Sequence, residues 1–253
     1  MSISNDRPIE RIREHWEKAG VVSLKDGNLR NLEIDSIVGV LNEFVSGKDQ
    51  LKLADFGCGD GLDTEKFSKL VNHTIGYDYS SEMLLRAKKF ENETLKFSQL
   101  DLLTDEISQM CDIAISKRCI INLGSWDNQS KSLRKISDAI KPGGLYVMLE
   151  CFIEGLDEIN SHRSKARLPK LEMPFHNTYL NYKRTTDFLK KDFEVLSEID
   201  FSTYYFLTRC LLPTLNEEIN DEADSKMKFL SENNDFFKGA GIGPQRLLCL
   251  RKR

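Results

Sequence analysis

Nine residues constrain this chain more than any others: Leu53-Ala54-Asp55-Phe56-Gly57-Cys58-Gly59-Asp60-Gly61. An apolar run that ends in an acid and passes into alternate glycines reads as a strand, a tight turn and the start of a helix. Glycine there lets backbone approach a ligand closely and aims N–H groups at an anion. The pattern suits several nucleotide cofactors, and its neighbours narrow them. A dinucleotide-binding turn wants Gly or Ala where this chain has Leu62, and no Gly-Lys-Ser/Thr follows as a triphosphate loop requires. Asp55 suits a cationic ligand better than a pyrophosphate. Taken alone, the glycines fit an ordinary strand-to-helix turn equally well.

Around this segment, short apolar runs alternate with amphipathic stretches, the signature of an α/β chain with a parallel sheet covered by helices. The spacing predicts strands at Lys52 to Phe56, His73 to Tyr77, Leu95 to Leu100, Asp112 to Ser116, Leu145 to Cys151, Phe193 to Ile199 and Arg246 to Leu250. Helices are expected over Gly61 to Leu70, over Ser80 to Phe90 with Ser80 or Ser81 as cap, and over Gln129 to Ile140. Lys141-Pro142-Gly143-Gly144 reads as a stop and turn before the fifth strand. Three regions stand outside the repeat: a helical residues 1–49, a polar stretch from Phe152 to about Lys183 with Pro169 and Pro174, and Leu212 to Gly243 with the acidic run Asn216 to Asp224. The division is therefore 1–49 as a helical cap, 50–151 as the cofactor-binding core, and 152–253 as a lid and the completion of the sheet, all in one structural domain.

At 253 residues, with 36 basic against 40 acidic side chains, the chain has no general attraction to nucleic acid or anionic lipid. No apolar run approaches the ~20 residues that span a bilayer. Met1 to Arg7 lacks the apolar centre of a signal peptide, so a cytoplasmic location is expected. The six cysteines (Cys58, Cys111, Cys119, Cys151, Cys210, Cys249) include no CxxC pair and no zinc spacing, and read as reduced thiols.

Two further acids extend the ligand site. Asp78, in Gly76-Tyr77-Asp78-Tyr79-Ser80, follows the second strand about 20 residues after the first glycine, where a carboxylate can accept from both ribose hydroxyls. Helix capping is its bland alternative. Asp101, in Gln99-Leu100-Asp101-Leu102, can accept from an adenine amino group while Leu102 packs on the ring, or simply sit in a surface turn.

These four segments, Leu-Ala-Asp-Phe-Gly-Cys-Gly-Asp-Gly, Gly-Tyr-Asp, Gln-Leu-Asp-Leu and Lys-Pro-Gly-Gly, resemble in order and spacing the motif series of class I, Rossmann-like S-adenosylmethionine-dependent methyltransferases. The resemblance covers about residues 50 to 151. It implies a three-layer α/β/α sandwich on a seven-stranded sheet of order 3-2-1-4-5-7-6, the seventh strand antiparallel. It places Asp55, Gly57 and Gly59 at the methionyl portion of S-adenosyl-L-methionine, Asp78 at the ribose, and Asp101 with Leu102 at the adenine. Cys58, Gly61, Tyr79 and Lys117 are expected along the same cofactor. Nothing in it names the acceptor.

For the acceptor, the segment after the fourth strand, Ser116-Lys117-Arg118-Cys119-Ile120-Ile121-Asn122-Leu123, lacks the Asn/Asp-Pro-Pro-Tyr/Phe and Pro-Cys signatures of DNA methylation. Arg118 can hold a carboxylate, phosphate or sugar hydroxyl pair by its planar fork, with Asn122 beside it. A solvated or ion-paired arginine is as good a reading. The segments up to Tyr179 are similar to a group of bacterial small-molecule methyltransferases. That likeness puts Glu150, Asn160, Arg163, His176, Asn177 and Tyr179 around the acceptor, with Arg209 adding charge. His176 is the leading base candidate and Glu150 its competitor. His15 beside Trp16 is assigned to an N-terminal helix closing over the cofactor; His73 and His162 gain no role. Tyr204-Tyr205-Phe206 reads as strand-end core, and Asp127-Asn128 as helix capping rather than a metal site, so no metal is expected.

The resulting expectation is methyl transfer to a small-molecule acceptor, most favourably an oxygen of an anionic or sugar-bearing metabolite of specialised or surface-glycan biosynthesis, without nucleic acid or membrane. The competing classes are N-methylation of a small molecule, RNA or protein methylation, and a non-catalytic cofactor-binding module.

Overall fold

Strand Lys52–Phe56 (β1) is buried at every position after its first, Asp55 being its one buried acid, and a strand buried on both faces belongs at the middle of a parallel sheet. In the computed structural model, which describes residues 8–22, 24–215, 221–234 and 236–253, it lies there. Its neighbours are β2 (His73–Asp78) and β4 (Cys111–Lys117), with β3 (Leu95–Gln99) beyond β2. On the other side follow β5 (Ile140–Cys151), β7 (Gln245–Lys252) and β6 (Phe193–Asp200). The order is β3-β2-β1-β4-β5-β7-β6, and β7 runs antiparallel to both neighbours, as the resemblance implied.

The two-residue period of the strands divides the core into layers. Leu53, Ile113, Ile115, Leu145, Val147 and Leu149 face one layer. It holds α2 (Gly27–Val45), α3 (Leu62–Ser68) and α6 (Ile153–Lys165). Ala54, Phe56, Ala114, Tyr146 and Met148 face the other, with α5 (Trp126–Asp138) and α7 (Tyr182–Leu189). The remaining helices are α1 (Ile9–Trp16), α4 (Ser81–Ala87), α8 (Ser202–Phe206), α9 (Leu212–Thr214) and α10 (Asp221–Glu232). Side chains satisfy the first N–H groups of four helices: Asp26 on α2, Ser80 on α4, Ser125 on α5 and Asn181 on α7.

Several sequence expectations need correction. Lys141-Pro142-Gly143-Gly144 does not stop a helix, because α5 ends at Asp138 and Ile140 already pairs with Cys111. The next register is Ile113 with Leu145, so the four residues swell out of β5 as a bulge. The polar stretch after Phe152 is regular in its first half, where α6 forms. Tyr204-Tyr205-Phe206 lies on α8, after β6 has ended at Asp200. Ser125 caps α5, while Asp127 pairs with Lys131 at 2.7 Å. Of the acidic run, Asn216 to Asn220 lies outside the described residues, as does Met1 to Arg7.

All six cysteines are free thiols, and only Cys119 is not fully buried. Among the described residues no helix is long and apolar enough to cross a membrane. Nor is there, among them, a group of three or more His, Cys, Asp and Glu side chains able to hold a metal ion.

Candidate active site

The strand order reverses between β1 and β4, and the loops leaving their carboxyl ends part around a crevice. Gly57, Gly59 and Gly61 all take left-handed φ there, at 76°, 56° and 75°. Gly57 and Cys58 donate to the Tyr77 carbonyl at 2.8 and 3.0 Å, which ties the turn to β2. A Cβ on Gly57 would lie 2.6 Å from Cys119 Cβ and Sγ, so this glycine makes room for the turn after β4. A Cβ on Gly59 would meet nothing within 4 Å. Its open side faces the cleft, the place where a ligand can rest on bare backbone.

The cleft spans about 1170 Å³, open solvent at its mouth included. Asp101 to Leu103 form one end, Tyr77 to Tyr79 and Gly57 to Asp60 the middle, and Lys117 to Cys119 with Asn122 the other end. Ile9, Arg13 and Trp16 of α1 cover it. This cover is fastened to the far wall: the Tyr79 hydroxyl donates to the Arg13 carbonyl at 3.3 Å and Ser80 Oγ to the Trp16 carbonyl at 3.0 Å. The Glu17 carboxylate accepts from the Ser81 and Glu82 N–H groups at 3.1 and 3.4 Å, at the head of α4.

Three acids line it in sequence. Asp78 accepts from Gly59 N–H at 2.8 Å and from Ser80 N–H at 2.9 Å, while burial pushes its carboxyl up to about 6. Asp55 is buried beside the Thr64 hydroxyl, 2.6 Å away, and burial raises it to about 7. Asp101 accepts from Leu103 N–H at 2.9 Å and is paired with Arg13. Leu102 and Cys58 are buried along the same wall, and burial raises the phenol of Tyr79.

At the end away from Asp101 the charges are interlocked. Lys117 Nζ lies 3.0 Å from Asp63 and 3.2 Å from Glu33, Arg118 Nη1 lies 2.5 Å from Glu33, and Arg30 lies 2.8 Å from Asp63. Arg118 has φ 52°, a left-handed conformation for a side-chain-bearing residue, and its carbonyl accepts from Asn122 Nδ2 at 2.6 Å. Beneath this turn lies Glu150. Its carboxylate, fully buried, accepts from the N–H groups of Cys119, Ile120 and Ile121 at 3.1, 3.0 and 3.4 Å, and burial raises it to about 7. Glu150 therefore orients the turn that carries Arg118 and Asn122 and does not itself line the cleft.

His176 stacks on His15 with ring centres 4.4 Å apart, and both pack edge-on to Trp16 and Phe175. Burial lowers His176 to about 4, with His15 adding to the effect. The loop from Ala166 to Asn181 thus touches α1 behind Trp16, and its Thr178 N–H donates to the Ile121 carbonyl at 2.6 Å. Asn160 exchanges hydrogen bonds with the backbone of Leu171 at 2.9 and 2.8 Å. Arg163 donates to the carbonyls of Pro169, at 2.7 Å, and Arg209, while Arg209 pairs with Asp26. Asn177 is buried, and Tyr179 meets it and Cys151. These residues shape the loop; the cleft collects the predicted cofactor residues together with Arg118 and Asn122, except Gly61, which lies outside its lining and makes room for Phe97 and Ala87 instead.

Four charged residues in or beside the cleft were not singled out from the sequence: Arg13, Arg30, Asp63 and Glu33. The last had a signal. Leu29, Glu33, Ile37 and Leu41 recur every four residues, so an acid stands in the apolar stripe of α2, and all four are buried.

The donor set fits a sulfonium nucleoside with a zwitterionic tail: acids where the resemblance expects ribose and adenine, an open glycine turn, and cations balanced by carboxylates at the far end. Buried polar atoms with no hydrogen-bond partner, Trp16 Nε1 and Asn122 Oδ1, belong to residues that line the same space. Residues 53–144 match a family described as methyltransferase domain. No curated protein sequence matches the chain. Among solved structures the fold is similar to that of NodS, an N-methyltransferase of Bradyrhizobium japonicum WM9 in complex with S-adenosyl-L-homocysteine. The identity is 9%, the TM-score 0.61, and 96% of this chain and 97% of that one are covered. It is likewise similar to magnesium protoporphyrin IX methyltransferase (ChlM) of Synechocystis PCC 6803 with bound S-adenosyl-homocysteine, at 12% identity and TM-score 0.58, covering 96% and 94%. Motifs, sheet order and family match agree, and the chain is a class I, Rossmann-like S-adenosylmethionine-dependent methyltransferase.

Proposed function

We propose that this methyltransferase acts on a small metabolite, at an oxygen next to an anionic or sugar group, in specialised or surface-glycan biosynthesis. The observation that carries the reading is the end of the cleft at Lys117 to Asn122. Arg118 and Asn122 line it from a turn held by Glu150, and Trp16 of α1 lines the same cleft. Such a space suits a metabolite better than a folded RNA or protein surface, and a net charge of −4 supports the same reading. Six free thiols suit a reducing, cytoplasmic setting.

Bound S-adenosylmethionine supplies a methyl on a positively charged sulfur, already activated for attack. The protein's part is alignment and exclusion of water. Asp78 accepts from ribose hydroxyls, Asp101 from the adenine amino group once it shares its carboxylate with Arg13, and the Gly57–Gly59 backbone supports the tail. Asn122 presents its free Oδ1 to the acceptor, and Arg118 its guanidinium. His176, held neutral behind Trp16, supports α1, so an acidic hydroxyl needing no strong base is the best acceptor.

One observation favours an amine instead. The cleft is lined by Arg13, Arg30, Lys117 and Arg118 against Asp55, Asp60, Asp63, Asp78 and Asp101, and each of these cations is paired with a carboxylate. A panel of sugar acids, sugar phosphates, neutral sugars and amino sugars, scored by release of S-adenosylhomocysteine, separates the two. Turnover confined to amines would replace the oxygen reading; turnover on RNA or protein alone would remove both.

A further inference from the structure

Glu33 is a costly residue to keep. Its side chain is fully buried on the apolar stripe of α2, and burying a carboxylate is unfavourable unless its charge is used. Oε2 serves both Lys117 Nζ, at 3.2 Å, and Arg118 Nη1, at 2.5 Å. Oε1 has no hydrogen-bond partner among the described residues. Lys117 and Arg118 both line the cleft, and Lys117 reaches Asp63, which lines it too. Two cations therefore stand at the end of a cleft whose donor, on the reading above, carries a net positive charge through its sulfonium. Asp63 cannot balance both, because Arg30 shares it at 2.8 Å.

We propose that Glu33 is the counter-charge that lets a cationic methyl donor bind beside Lys117 and Arg118, and so sets the preference of the cleft between S-adenosylmethionine and the uncharged sulfur of S-adenosylhomocysteine. The two ligands share every contact except the methyl and differ by one unit of charge. A loss of packing weakens both alike, whereas a change in the field of the cleft separates them. For two unit charges about 10 Å apart at an effective dielectric constant of about 20, removing one changes affinity roughly tenfold.

The proposal rests on the cofactor assignment, and calorimetric titration of the purified full chain with each ligand tests both without an acceptor. Glu33→Gln is expected to raise the ratio of Kd for S-adenosylmethionine to Kd for S-adenosylhomocysteine about tenfold. Lys117→Met is expected to lower it by a similar factor, and the double variant, with charge rebalanced, to return within about threefold of the parent. Glu33→Asp, which keeps the charge, is expected to stay near the parent ratio. Should Glu33→Gln not fold, the Lys117→Met and double variants carry the test, since neither leaves a carboxylate's two cations unbalanced. Equal weakening of both ligands, or ratios moving the same way in the two single variants, overturns the proposal. A parent protein that binds neither ligand overturns the cofactor assignment, and the proposal with it.

Discussion

Replacing Glu150 by Gln isolates what this carboxylate does. It sits at the end of β5, fully buried, facing the N–H groups of Cys119, Ile120 and Ile121. Burial outweighs those donors and lifts its carboxyl from the ordinary 4.5 to about 7. That difference corresponds to about 3 kcal/mol between the two protonation states. A carboxyl raised in the folded state stabilises the fold fully below its unfolded value and loses that contribution as pH climbs through its folded value. Between pH 5 and pH 8 the parent should thus lose about 2 to 3 kcal/mol through Glu150 alone. Glutamine, close in shape and without a charge, loses nothing. Urea unfolding of parent and Glu150→Gln at both pH values gives the difference directly, since other titrating groups cancel. The variant's stability relative to the parent should rise by about 2 to 3 kcal/mol on going from pH 5 to pH 8. A relative stability independent of pH, or one moving the other way, would refute the reasoning and mean that the three N–H groups dominate.

Other outcomes follow from the same geometry. Gly57→Ala should lower stability by at least about 2 kcal/mol, because the new Cβ meets Cys119 on a left-handed backbone, whereas Gly59→Ala should cost less stability and weaken S-adenosylhomocysteine more; thermal melts beside calorimetry read both. Asp78, raised to about 6, should lose its role as ribose acceptor on protonation, so ligand affinity should fall as pH drops through about 6 and become flat in Asp78→Asn. His176, lowered to about 4, contributes stability above the ordinary imidazole value that is lost as pH falls toward 4, so His176→Phe should melt closer to its neutral-pH temperature at pH 4.5 than the parent does. If His176 were instead the base, the same variant would drop kcat by about 10² or more and remove the acid limb of the rate profile.

The sheet was legible because a parallel α/β core writes itself as short apolar runs, and β1 was bounded correctly at both ends. The Lys141 to Gly144 bulge was not: Pro and Gly signal a break in a helix, and only the pairing of Cys111 with Ile140 reveals that the strand has begun. On the cofactor side Asp55, Asp78 and Asp101 each sit where a strand ends, a position that sequence shows. The lid residues were harder, since Arg163, Asn160 and Arg209 look the same in sequence whether they meet a ligand or backbone carbonyls. Glu33 lay hidden for a related reason. A glutamate in a helix usually faces water, and its partners Lys117 and Arg118 are 84 and 85 residues away.

The central claim is that Asp55 to Asp60, Asp78 and Asp101 line one site for S-adenosylmethionine. Calorimetric titration of the purified chain with S-adenosylhomocysteine tests it most directly. One ligand should bind per chain, and Asp78→Ala, folded as judged by its melt, should lose about 100-fold or more in affinity through the unsatisfied ribose hydroxyls. No measurable binding by the parent, or full affinity in the folded Asp78→Ala variant, would contradict it.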